Sequence, residues 1–154
     1  SEAIERARLR IQEHRERCHF VGPRDEAVVR EAERALDVRF PPSYRTFVLA
    51  FGAGSAGSEE FYGVVEPDFS GPVPDAVWVT LQERQGPAGL PQTMVAIGHD
   101  GMGGTYVMDT AKGEEPPVEV WQGGASRPGD DLERIAADFG AFFLHQVSQG
   151  LQPP

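Results

Sequence analysis

The stretch 96-AIGHDGMGGTYVMD-109 sets four glycines in the seven positions from Gly98 to Gly104, between two apolar runs. If it closes a strand and opens a helix, the chain is a nucleotide-binding α/β protein. If it joins two strands, the chain carries an antiparallel hairpin. A dinucleotide fingerprint, G-x-G-x-x-G, needs the helix so that its N-terminus meets the pyrophosphate. Gly101 and Gly103 fit the first pair, but Tyr106 stands at the third glycine, and "TYVMD" reads as a strand. A P-loop needs G-K-[ST], and no lysine lies nearby. A calcium loop needs oxygen ligands at alternate positions, yet Met102 and Gly104 follow Asp100. What remains is a hairpin turn whose glycines take positive φ.

Working outward, "TMVAIG" (93–98), "TYVMD" (105–109) and "VEVWQ" (118–122) read as three strands at hairpin-like spacing. "FYGVV" (61–65) is a further strand, "GAGSAGSEE" (52–60) a glycine-rich loop and "PDFSGPVP" (67–74) irregular. "DAVWVTLQERQG" (75–86) is ambiguous, because its front half is β-branched and its back half favours helix. Upstream, residues 1–18 read as a helix with Ile4, Ala7, Ile11, His14 and Cys18 along one face. A second helix, 25–36, carries Val28, Ala32, Ala35 and Leu36. Pro41 and Pro42 then open a third, with Tyr44, Phe47, Val48 and Phe51 in line and Gly52 as its stop. Downstream, 130–150 reads as one helix, opened by an Asp130–Glu133 capping box and striped by Ile135, Phe139, Phe142, Phe143 and Val147. The fold class is α+β: N-terminal helices, a central, mostly antiparallel sheet, and a C-terminal helix packed on it. Residues 1–22 are expected to be an additional N-terminal helix, 23–150 a single domain and 151–154 a disordered tail.

At 154 residues the chain is sized for one domain with a real core. No apolar run reaches the roughly 18 residues of a membrane span, and the opening residues lack the apolar stretch of a signal peptide. The lone Cys18 leaves no internal disulfide framework, which fits a reducing compartment, and a cytoplasmic location is expected. The net charge is −10 and unevenly spread: residues 1–34 balance eight Arg against eight acids, whereas 59–131 hold thirteen acids against Arg84, Lys112 and Arg127. That second segment carries the whole excess. Such a field repels phosphate backbones, so nucleic acid and anionic membrane are poor partners. A basic protein would be steered in, with association speeded roughly 10- to 1,000-fold. Solubility alone also accounts for an acidic surface.

The remaining chemical candidates are thin. "AGSAG" (53–57) has the spacing of a hydrolase elbow around Ser55, but a helix precedes it and a strand follows, the inverse of the required context. His14 and Cys18 have the spacing of two metal ligands on one helix, and no second pair exists to close a site. His99 with Asp100 is the one pair on a turn suited to acid–base work, and it lacks a nucleophile. Trp121 reads as core, and Trp78 as either core or interface anchor. The acids in predicted loops are the candidates for partner contact: Glu59, Glu60, Glu66, Asp68, Asp100, Glu114 and Glu115. No catalytic, cofactor-binding or metal-binding residue is assigned.

The ordered motifs resemble the SUKH superfamily. "VREAERALDVRFPPSYRTFVLAFGAG" is similar to its opening signature, with Glu31 or Glu33, Leu36, Phe40, Pro41, Pro42, Tyr44, Phe47 and Gly52 in the matching places. "VWVTLQERQGPAGLPQTMVAIGHDGMGGTYVMDT" resembles its strand, glycine turn and following strand, and "VEVWQ" and "IAADFGAFFLHQV" resemble its closing strand and terminal helix. The likeness covers about residues 26–147; Met102 in the turn and the N-terminal helix, 2–18, depart from it. The resemblance implies an α+β binding domain without known catalysis. Many bacterial members are immunity proteins that neutralise a polymorphic toxin, often a nuclease, and fungal relatives regulate cell-wall synthesis. The expectation is therefore a non-enzymatic protein that binds a basic toxin domain. The alternative is a regulatory scaffold that acts by oligomerising, with itself as a homodimer or with another protein.

Overall fold

The computed structural model describes residues 1–69 and 75–153. The chain begins with α1 (Glu2–Glu13), β1 (Cys18–Phe20), α2 (Glu26–Leu36) and α3 (Pro42–Phe51). A short hairpin follows, β2 (Gly54–Ala56) and β3 (Glu59–Phe61), then α4 (Ala76–Gln85). The second half is β4 (Met94–His99), β5 (Gly104–Asp109), β6 (Val118–Gln122), β7 (Glu133–Ala136) and α5 (Phe139–Gly150). The strands form two antiparallel sheets, β1-β2-β3 and β4-β5-β6-β7. This is the expected α+β class, with the C-terminal helix in the core.

Local chemistry places the helix ends. Asp75 accepts from Trp78 N at 2.9 Å and Asp138 from Ala141 N at 2.8 Å, so each carboxylate satisfies a first-turn N–H. Pro42 occupies the first turn of α3, where its missing N–H costs nothing, and Gly52 ends that helix at φ 74°. The segment expected to be undecided, 75–86, is thus helical from Ala76.

Four expectations fail in instructive ways. The helix expected over 1–18 ends at Glu13, with His14 at φ −127°; residues 15–17 form a 3₁₀ turn and Cys18 starts a strand. His14 and Cys18 therefore share no helix face. The loop expected at 52–60 holds both β2 and most of β3, and Ser55 is a strand residue paired with His19 and Glu60. The helix expected from 130 starts only at Phe139. Asp130 accepts from Arg127 N within its own turn, and Glu133 opens β7, so the capping box is absent and Ile135 reaches the core from a strand. Of the strand expected at 61–65, Phe61 closes β3, and Gly63 makes only an isolated parallel bridge to Asp75. The irregular segment 67–74 lies partly outside the described residues.

The main core joins α1, α2, α3 and α5 to one face of the larger sheet. Phe143 is fully buried with its ring against those of Phe20, Phe47, Phe51, Phe61 and Phe139. A buried ring of this kind contributes about 1.5–3 kcal/mol. Ile4, Ala7 and Ile11 of α1 belong to the same core, and Arg17 donates to the carbonyls of Gly150, Leu151 and Gln152 at 3.0–3.1 Å. Residues 1–20 thus join the domain by the packing of α1 and by hydrogen bonds at the C-terminal end of α5, and Leu151 is buried. On the other face of the sheet, Trp121 packs with Leu90, Met94 and Val107 and donates from Nε1 to Ala88 O at 3.0 Å, the core position expected for it.

Candidate functional site

β4 is the edge of its sheet, and two side elements cover it. Thr80 of α4 accepts from Ala96 N at 2.9 Å, and Tyr62 N, just past β3, donates to Ile97 O at 3.0 Å. The β4–β5 register shifts between Ala96 and Gly98, a bulge that leaves the Ile97 carbonyl for Tyr62. Gly98 permits the approach, since a Cβ there would lie 3.3 Å from Glu60 O. The result is one cluster assembled from four segments: Glu59 and Glu60 of β3 with Tyr62 just past it, Glu83 from α4, His99 to Tyr106 from the hairpin, and Glu133 from β7.

The hairpin tip is held by Asp100. Its Oδ1 accepts from Met102 N at 2.7 Å and Gly104 N at 2.9 Å, while Gly101 and Gly103 take φ of 79° and 93°. The glycine-rich stretch is thus a turn, as its failed motif matches imply. Met102 at the apex is 84% exposed, the most exposed large apolar residue described.

Below the tip, His99 Nδ1 is hydrogen-bonded to the Tyr62 hydroxyl, and Nε2 lies 3.4 Å from Glu83 Oε1, which also accepts from Thr105 at 3.1 Å. The hydrogen bond with Glu83 raises the His99 pKa above its ordinary value against the opposing effect of burial, with Glu83, Asp100 and Glu60 adding their charges. Burial, then Glu60 and Glu83, push the Tyr62 phenol well up. Burial, then Asp100 and Glu59, likewise raise Tyr106, with Glu133 contributing. Both ring nitrogens of His99 are thus engaged within the cluster, one by Tyr62 and one by Glu83, which fixes the orientation of the ring. Among the described residues no group of three His, Cys, Asp or Glu side chains could hold a metal ion, and no helix is long and apolar enough to cross a membrane.

The structure brings Glu59, Glu60 and Asp100 of the sequence-derived residues together around His99 and Tyr106. Glu59 also accepts from Gln146 of α5 at 3.1 Å. Glu66 and Asp68 sit on the turn that closes at Phe69; burial raises the pKa of Asp75, and the charge of Asp68 adds to it. Glu114 and Glu115 lie beyond the far end of β5, roughly 17 Å along the strand from the hairpin tip. Glu115 accepts from Ser43 N and Oγ at the start of α3, and Glu114 lines a groove of about 700 Å³ with Arg30, Arg39 and Arg45. Other acids of the 59–131 excess do internal work. Asp75 is fully buried, Glu119 is paired with Lys112 at 2.8 Å, and Asp109 accepts from Thr93 and Ala111. Sequence reasoning missed Tyr62, Glu83 and Glu133 as members of the cluster. No spacing rule links residues 62, 83 and 99, which meet only because β3 and α4 close on the same edge strand.

The comparisons with known proteins agree with this architecture. A solved protein from Pseudomonas syringae pv. tomato is similar, with a TM-score of 0.63 and 19% identity over 88% of this chain and 93% of that one. That likeness concerns the fold alone. No curated protein matches the chain. The SMI1-KNR4 cell-wall family model of the SUKH group matches residues 26–143, which include α2 to β7 and the start of α5. The chain belongs to the SMI1-KNR4 cell-wall family of the SUKH superfamily.

Proposed function

We propose that the chain is a non-enzymatic, immunity-type binding protein that neutralises a basic, nuclease-type toxin domain through the acidic face around His99. The observation that carries this reading is the convergence of Glu59, Glu60, Asp100 and Glu133 around Tyr106 and His99. An exposed apolar residue, Met102, stands at the apex of the same hairpin. Interfaces of this kind draw their affinity from a desolvated apolar or aromatic centre and their association rate from the surrounding charge. Family membership supports the reading, because the resemblance implies a binding domain without catalysis. The cytoplasm is the compartment where an immunity protein of this kind would meet its toxin.

The gene's neighbourhood should supply the partner: a large multidomain protein with a basic C-terminal domain. Co-expressing that domain with the full chain is expected to restore growth of the host cell. The Glu59→Gln/Glu60→Gln/Asp100→Asn variant should protect less well at the same expression level. Equal protection by both would remove the acidic face from the reading; no protection by either would remove the toxin. A scaffold acting by self-association is the second reading, favoured by a different surface, the groove between α1 and α5.

A further inference from the structure

The family match begins at residue 26, so α1 lies outside it. α1 packs along α5 in parallel: Ser1 and Ala3 crowd Gly140, while Arg17 reaches the carbonyls of 150–152. Between the two helices runs a groove of about 670 Å³, lined by Leu9 and Leu144 with Arg6, Arg10, Glu13 and His145. Leu9 is 54% exposed, more than any other large apolar residue described except Met102. The described ion pair on α1 is Glu5–Arg8, which leaves the charges of Arg6, Arg10 and Glu13 without a described ion-pair partner.

We infer that this groove is a self-association surface, in which α1 of one copy packs antiparallel on α1 of a second. Charge selects both the occupant and the symmetry. Two copies of a chain with net charge −10 repel each other, and residues 1–34 are where the charges balance. A two-fold axis perpendicular to the helices sets α1 against α1 and α5 against α5, each pair antiparallel. Arg6 and Glu13, about 10 Å apart along the helix, then exchange places across the axis, so Arg6 faces Glu13 twice, with Leu9 near the centre. An axis parallel to the helices would instead set α1 against α5, whose groove residues Ala141, Leu144, His145 and Ser148 offer Arg6 no carboxylate. Two 12-residue helices about 18 Å long present roughly 350 Å² per copy, below the size of a standard interface, so the dimer is weak. The inference deepens the scaffold reading and is independent of the acidic face.

Sedimentation of the full chain from about 5 to about 500 µM tests it. The average mass should rise from 16.8 kDa towards twice that value. Arg6→Glu should weaken the dimer about tenfold, because two attractive pairs become repulsive. The double variant Arg6→Glu/Glu13→Arg should restore it, and Leu9→Asp should abolish it. All three positions are exposed, and circular dichroism confirms folding. A monomer at every concentration, a dimer indifferent to Arg6→Glu, or a failure of the double variant to restore it would overturn the inference. Toxin-domain binding, measured separately on the same variants, should be unchanged. Its loss in the acidic-face variant with self-association intact would leave this inference standing.

Discussion

Replacing Asp100 with alanine is expected to lower the melting temperature by about 6–9 °C, and replacing it with asparagine by only about 2–3 °C. The difference rests on one oxygen. Asp100 Oδ1 accepts two backbone N–H groups, those of Met102 and Gly104, across a turn whose glycines sit at positive φ. A hydrogen bond to a charged acceptor is worth about 1.5–3 kcal/mol; here one oxygen serves both donors in a half-exposed turn, so the two do not add in full and losing both costs about 2–3 kcal/mol. Asparagine keeps a carbonyl in the same place and loses only the charge, about 0.5–1 kcal/mol. A 154-residue chain melts with an entropy near 0.32 kcal/mol/K, which converts each kcal/mol into about 3 °C. Differential scanning calorimetry gives the shifts. Amide exchange locates them: Met102 and Gly104 should exchange faster in the alanine variant. The reasoning is refuted if Asp100→Ala melts within 2 °C of the wild type, or if asparagine is as damaging as alanine.

Two further outcomes follow from the same contacts. Arg17→Ala removes three bonds to the carbonyls of Gly150, Leu151 and Gln152, at and just past the end of α5, and should cost about 2–3 kcal/mol, with Arg17→Lys intermediate, as read from urea unfolding midpoints. For His99, the folded state holds its proton more tightly than the unfolded chain does. Its contribution to stability is thus fully present below the ordinary value of 6.5 and is lost as pH rises through the elevated folded value. Melting curves between pH 5 and 9 should fall more steeply for the wild type than for His99→Gln; parallel curves would show that the Glu83 contact contributes nothing.

What could be read from the sequence depended on element length. α2, α3 and the β4–β5–β6 meander have enough residues to display a period, and Pro42, Gly52 and the glycines of 98–104 mark their ends. β1, β2 and β3 have three residues each and β7 four, too few for alternation to register; β1 pairs with a partner some 35 positions away. The false start of α5 has a specific cause. Asp130 and Glu133 have the capping-box spacing, and Ile135 falls in step with Phe139 and Phe142, so a strand imitated one more helical turn. In the site, the acidic excess of 59–131 was legible as charge. Which carboxylates are occupied internally was not, because Glu115 and Glu119 find their partners through tertiary contacts and Asp75 caps a helix whose sequence is ambiguous.

In the proposed function, the face formed by Glu59, Glu60 and Asp100 steers a basic partner onto the hairpin. The most direct measurement is the association rate of the full chain with the basic toxin domain proposed as its partner, taken by stopped flow at low and high salt. The rate is predicted to fall by at least about tenfold between 0.02 M and 0.5 M salt. The Glu59→Gln/Glu60→Gln/Asp100→Asn variant should start slower and fall less. An association rate indifferent to salt, or a variant as fast as the wild type at low salt, would contradict the account.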